Sequence, residues 1–189
     1  MCCYYICRYI ALELCAGTLE DVIEKKYNGP ELPTDRNVLY QMTNGLDYIH
    51  SQQLIHRGIK PSNVLISFDS KIKISDFGSS KKISTKGTCS ISTMKGTLLW
   101  MPPELNGDET KIQMKGTKMS DIFSSGLVLF MFLTRHQGGI HPFGDKSKQV
   151  EVQYNIMNNK LINVEGKYYN NSFDFYDQRV QPSNLLNSK

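Results

Sequence analysis

The 189 residues are 40% hydrophobic and 21% charged, a balance that permits a packed core and excludes global disorder. Lys and Arg number 22 against 18 Asp and Glu, a mild surplus of +4. The longest apolar run, Ile122 to Leu133 with two serines inside it, is too short for a bilayer-spanning helix and reads as a buried one. The length suits one ordinary domain or part of a larger one. Five cysteines, at 2, 3, 7, 15 and 89, are odd in number and crowded at one end. They form no disulfide framework and no zinc-ligand spacing. The opening stretch lacks a basic region, and Arg8 and Glu13 interrupt its apolar run, so it is no secretory signal. A reducing cytoplasmic environment is expected.

Residues 4–14, rich in Tyr and Ile, read as one or two strands, with Tyr4, Tyr5 and Tyr9 pairing across them. Thr18 with Asp21 forms a capping box ahead of a short helix, which Gly29-Pro30 stops. Pro33-Thr34 opens a second helix with apolar residues Val38, Leu39, Met42, Leu46 and Ile49 at helical spacing. Two β-rich runs, Asn63 to Ser67 and Lys71 to Ser75, flank Phe68-Asp69-Ser70 and predict a hairpin. Residues 79–101 hold nine Ser or Thr and no periodicity, and read as one long loop. A third helix is predicted from about Ser120 and a fourth over about Ser147 to Asn159. From Glu165 the chain is Asn- and Tyr-rich and reads as a tail.

The chemistry lies in Ile55–Ser67, IHRGIKPSNVLIS, and Lys71–Ser80, KIKISDFGSS. These segments resemble the C-terminal lobe of the eukaryotic protein kinases, whose core reads His-Arg-Asp-x-Lys-Pro-x-x-Asn, then Asp-Phe-Gly after a hairpin. The resemblance implies a mainly α-helical α+β fold, the kinase large lobe with short β-hairpins and the small lobe largely absent. Residues 1–16 would be the last small-lobe strands and hinge, 17–160 the large lobe with its activation segment at 76–104, and 161–189 a disordered or incomplete tail. A transferred phosphoryl group needs hard cations on its oxygens, and such cations take oxygen ligands. Asp76 and Asn63 would hold Mg2+, Lys60 would face the γ-phosphate of ATP, and Phe77 would pack beneath the loop. IALELC (Ile10 to Cys15) resembles the adenine-binding hinge, with Leu12 in the gatekeeper place and Glu13 and Cys15 offering backbone groups to the base. Leu65 would line the floor. MPPEL (Met101 to Leu105) and SDIFSSG (Ser120 to Gly126) resemble the end of the activation segment and the buried helix whose Asp121 holds the catalytic-loop backbone. The phrases ALELCAGTLEDVIE, IHRGIKPSNVLIS, ISDFGSSKK and DIFSSGLV…HPFG are similar to the inositol-requiring sensor kinase/endoribonucleases of the unfolded-protein response over about residues 8–157. Members of that family sit in the endoplasmic reticulum membrane with the kinase facing the cytosol, and they pair kinase domains.

Three departures qualify the resemblance. Gly58 occupies the place of the catalytic Asp. The Gly-rich phosphate loop, strand Lys and helix Glu of the small lobe have no counterpart. An Arg partner for Glu104 is lacking, with Arg179 a candidate by default. Truncation at both ends, with no ribonuclease activity in this chain, is the expectation. Lys81, Lys82, Lys86 and Lys95 carry the whole net charge in a segment without acids, among Ser/Thr candidates for phosphorylation that Arg57 could hold. No aromatic residues interleave with them, and Trp100 stands alone, so direct nucleic-acid binding is not expected. Nor is a metal site at His136 or His141, or glycosylation at Asn170-Asn171-Ser172. The expected function is Mg-ATP-dependent phosphoryl transfer to Ser/Thr hydroxyls of proteins, impaired by Gly58. The alternatives are a non-catalytic pseudokinase pairing with a related kinase domain, as a homodimer for example, or an incomplete fragment of a sensor kinase/endoribonuclease.

Overall fold

The structure, a computed structural model, describes residues 11–84, 87–91, 98–105 and 114–164. Thr18 caps the short helix α1 (Leu19–Ile23) through the anticipated box: its hydroxyl accepts from Asp21 N–H, and the Asp21 carboxylate accepts from Thr18 N–H. Thr34 caps the long helix α2 (Asp35–Ser51), which buries Val38, Met42, Leu46 and Ile49 on one face. Strands β3 (Val64–Ser67) and β4 (Ile72–Ile74) form the anticipated hairpin, and Val64, Ile66 and Ile72 turn their shared face to the core. The long buried helix α3 (Lys118–Leu133) adds Val128 and Phe132. α4 (Gln149–Met157) closes a second cluster, in which Val152 and Ile156 pack with Leu99, Leu127 and Phe143. Trp100 touches both clusters. No helix among the described residues is long and apolar enough to cross a membrane.

Two expectations change. Residues 11–14 form no strand; the strand is β1 (Cys15–Thr18), which pairs antiparallel with β3 through a bulge between Cys15 and Gly17. Residues 4–10, with their tyrosines, lie outside the described residues, as do Glu165 onward and Arg179. The stretch 79–101 is not one loop. Within it β5 (Lys81–Lys82) pairs with β2 (Leu54–Ile55), β6 (Cys89–Ile91) pairs with β7 (Met114–Gly116), and Leu98–Trp100 is a 3-10 turn. Ladders of two or three residues with partners far along the chain leave no local periodicity to read.

The turn after α3 is closed by Gly139. Its φ is +68°, and a Cβ there would stand 2.2 Å from Ile23 Cγ2 of α1. Gly139→Ala should therefore destabilise the fold by about 1–3 kcal/mol, from positive-φ strain and overpacking together. Urea unfolding measures it, and a change under 0.5 kcal/mol, the ordinary surface range of about ±0.5, would contradict this packing.

Candidate active site

The hairpin brings Asp76 and Asn63 together. The Asn63 amide nitrogen donates to Gly58 O at 2.8 Å and to Asp76 Oδ2 at 3.4 Å. Asn63 is buried at the end of the 3-10 turn Pro61–Asn63, and its carbonyl accepts from both Ser75 N–H and Ser75 O–H. Asp76 is exposed and left-handed (φ 64°, ψ 69°), a strained setting for a residue other than Gly. Its Oδ1 accepts from Gly78 N–H at 3.3 Å. With the Asn63 nitrogen committed to these two acceptors, its Oδ1 and the lone pairs left on the Asp76 carboxylate, each of whose oxygens accepts one long hydrogen bond, are the oxygen donors on this edge. Both are hard donors that fit Mg2+. Lys60 is half-buried; its carbonyl accepts Asn63 N–H at 3.0 Å, and its side chain makes no ion pair or hydrogen bond among the described residues.

The backbone that carries these groups hangs from one carboxylate. Asp121, 1% exposed in the first turn of α3, accepts His56 N–H and Arg57 N–H, each at 2.8 Å, and His50 Nε2–H at 2.9 Å. Arg57 is held at φ 62° and donates through Nε to Ser79 O at 2.6 Å, which ties the loop to the segment after Asp76. His56 fastens the same two segments from inside: its Nδ1 accepts Gly58 N–H at 3.2 Å, and its Nε2–H donates to Ser75 O at 3.0 Å. Phe77 requires a correction. Its ring meets His56 edge-on at 4.9 Å but the residue stays 48% exposed, so it does not pack beneath the loop as a buried anchor. Of the residues expected around the base, Leu12 and Glu13 are exposed, while Cys15 and Leu65 are half-buried in neighbouring strands.

The protein kinase domain family matches residues 5–186. The chain is a protein kinase domain. It is 33% identical to the serine/threonine-protein kinase/endoribonuclease IRE1 of Hypocrea jecorina, over 93% of this chain and 17% of that protein. Identity is 36% to ire-1 of Caenorhabditis elegans, over 84% of this chain and 17% of that protein. It is 40% to IRE2 of Homo sapiens, over 72% of this chain and 15% of that protein. The kinase domain is thus of the Ser/Thr type and related to IRE1, and it spans about a sixth of the length of these relatives.

Two features of this kinase domain escaped the sequence reading. His50, which gives Asp121 its third donor, closes the apolar stripe of α2 one turn after Leu46, and that position was the available signal. His141 repeats the His56 geometry. Its Nδ1 accepts Phe143 N–H at 3.3 Å, its Nε2–H donates to Leu99 O at 3.0 Å, and its ring meets Trp100 edge-on at 5.7 Å. Glu104 takes Ser120 O–H at 3.2 Å.

Burial pushes both His56 and His141 below the ordinary histidine range. Asp121 and the Ser75 carbonyl oppose the shift at His56, and the Leu99 carbonyl opposes it at His141. Their neutral rings stabilise the fold fully above about pH 6.5, and that contribution is lost as pH falls below it, because the unfolded chain takes up protons the folded rings refuse. Unfolding free energy should fall from pH 7 to 5, each ring contributing a slope of up to about 1.4 kcal/mol per pH unit. His141→Gln, which keeps a donor for Leu99 O, should flatten the slope; equal slopes in variant and parent would refute the neutral lock.

Asp121→Ala strips three donors of their acceptor, two of them in buried hydrogen bonds, at roughly 1–3 kcal/mol for each buried one. Loss of the cooperative thermal transition, or a stability drop of at least about 3 kcal/mol, is the expected outcome in calorimetry.

Proposed function

We propose that this domain binds Mg-ATP through Asp76, Asn63 and Lys60 and supports at most weak phosphoryl transfer to protein Ser/Thr hydroxyls. The observation that carries the reading is the juxtaposition of Asp76 and Asn63 on a loop held by Asp121. Asp76 and Asn63 would hold Mg2+, which when bound neutralises phosphate oxygens. Lys60 would add a positive charge beside the γ-phosphate. The backbone of Glu13 and Cys15 would receive the base, with Leu12 beside it and Leu65 as floor.

Weak transfer follows from Gly58. Where the family places a carboxylate that orients the acceptor hydroxyl and takes its proton, this chain has no side chain. General-base help is typically worth ~10²–10⁴ in rate, or roughly 3–5 kcal/mol of barrier. Positioning and electrostatics act independently of that group, so nucleotide binding does not require it. The vacancy also supports a second reading, a pseudokinase that regulates a related kinase domain by pairing with it. By kinship with IRE1 proteins, either role would belong to the unfolded-protein response at the cytosolic face of the endoplasmic reticulum.

Thermal shift separates binding from its absence. ATP with Mg2+ at about a hundred times its dissociation constant should add about 2.7 kcal/mol of stability. Asp76→Ala should abolish the gain, and no shift, or an equal one in the variant, would reject the binding reading. The backbone at 58 accepts a side chain: a Cβ there would lie 3.5 Å from two His56 ring atoms and 3.6 Å from Asn63 Nδ2, ordinary contact distances. Gly58→Asp should accordingly leave stability near the parent's and raise peptide phosphorylation by ~10²–10⁴. An unchanged rate would favour the pseudokinase reading.

A further inference from the structure

One ion pair beside the hinge is used neither by the motifs nor by the chemistry above: Lys73 of β4 with Glu13, sixty positions earlier. In the β3–β4 ladder Lys73 lies directly opposite Leu65, and directly opposed residues of an antiparallel pair project from the same face. The other face is spent on the core, where Val64, Ile66 and Ile72 are buried. Lys73 therefore shares the outer face with Leu65, and Leu65 in turn lies opposite Thr18 of β1.

The segment that Glu13 belongs to needs an anchor. Residues 11–14 have no strand partner, and Leu12 and Leu14 are 85% and 79% exposed. Among the described residues, no other hydrogen bond or ion pair ties 11–14 to the hairpin. The nearest other acid of the hairpin, Asp69, is engaged by Lys71 at 2.6 Å, which leaves Lys73 to Glu13. An exposed pair contributes little to global stability. Here it restrains a segment that would otherwise have to be ordered when a ligand binds, and that ordering cost is subtracted from affinity.

We propose that Lys73 and Glu13 form a latch, a pair of positioning residues that holds the hinge backbone against the outer face of β3 and β4 and so sets the affinity for the base of a nucleotide. The inference rests on the nucleotide reading above and adds a division of labour to it. The latch governs the adenosine part of the ligand, while Asp76 and Asn63 govern the phosphates and metal.

Calorimetric titration of the full chain with adenosine and with Mg-ATP tests this in the parent, Lys73→Met, Glu13→Gln, the exchanged double variant Glu13→Lys with Lys73→Glu, and Asp76→Ala. Each single latch variant should weaken adenosine and ATP by the same factor, about two- to fivefold. The charge exchange should restore both affinities, and Asp76→Ala should weaken ATP while leaving adenosine unchanged. Amide exchange over β1 (Cys15–Thr18), the paired strand that the latch segment enters, should quicken without ligand in the single variants and slow again in the double. Unchanged adenosine affinity in the single variants, or a loss that charge exchange fails to restore, overturns the latch. A parent that binds neither ligand overturns the nucleotide reading and the base-positioning role with it; amide exchange then tests the latch alone, and unchanged exchange in the single variants overturns that as well.

Discussion

The buried carboxylate of Asp121 is the constraint on which the rest of the domain depends. A charge 1% exposed is tolerable only when every accessible lone pair is met by a donor, and here three N–H groups meet it. Two of them are consecutive backbone amides, so the carboxylate dictates the path of the chain at His56 and Arg57. The third, from His50, makes the end of α2 part of the same arrangement. Helix α3 can deliver the carboxylate to this depth because its buried apolar positions, Leu127, Val128, Met131 and Phe132, lie in the core.

From that point the geometry propagates by short backbone links. His56 accepts from one side of the loop and donates to the strand before Asp76, so a displacement of either segment would break a bond to a buried ring. Arg57 reaches Ser79 and repeats the connection on the outer side. The strain at Asp76 and Arg57, both at positive φ, persists because these contacts over-determine the two positions. His141 performs the same service between the Leu98–Trp100 turn and the chain ahead of α4. Two buried imidazoles in one tautomer thus fasten irregular backbone at two places among the described residues.

Much of this was legible in the sequence, for physical reasons that differ by element. The caps at Thr18 and Thr34 and the stripe of α2 are local signals, decided within four residues of themselves, and they appear in the structure as read. The β3–β4 hairpin is also local. β1, β5, β6 and β7 are not: each is two to four residues long and pairs across a gap that no periodicity records. The juxtaposition of Asn63 and Asp76 could be anticipated because a hairpin lies between them. The exposure of Phe77 could not, since it depends on what covers the ring rather than on the tripeptide that contains it.

Gly58 shows why a frame and its chemistry can part company. Residue 58 serves the frame entirely through its backbone, the N–H to His56 Nδ1 and the carbonyl to the Asn63 amide. Neither bond requires a side chain, and glycine can make both at an entropic disadvantage of roughly 0.5–1 kcal/mol. A side chain at 58 takes no part in either bond, so Asp121, His56 and Asn63 keep their partners without one. Asp121, His56 and Asn63, which hold the loop and its neighbours, are all hydrogen-bonded with no side chain at 58, so the frame stands without one.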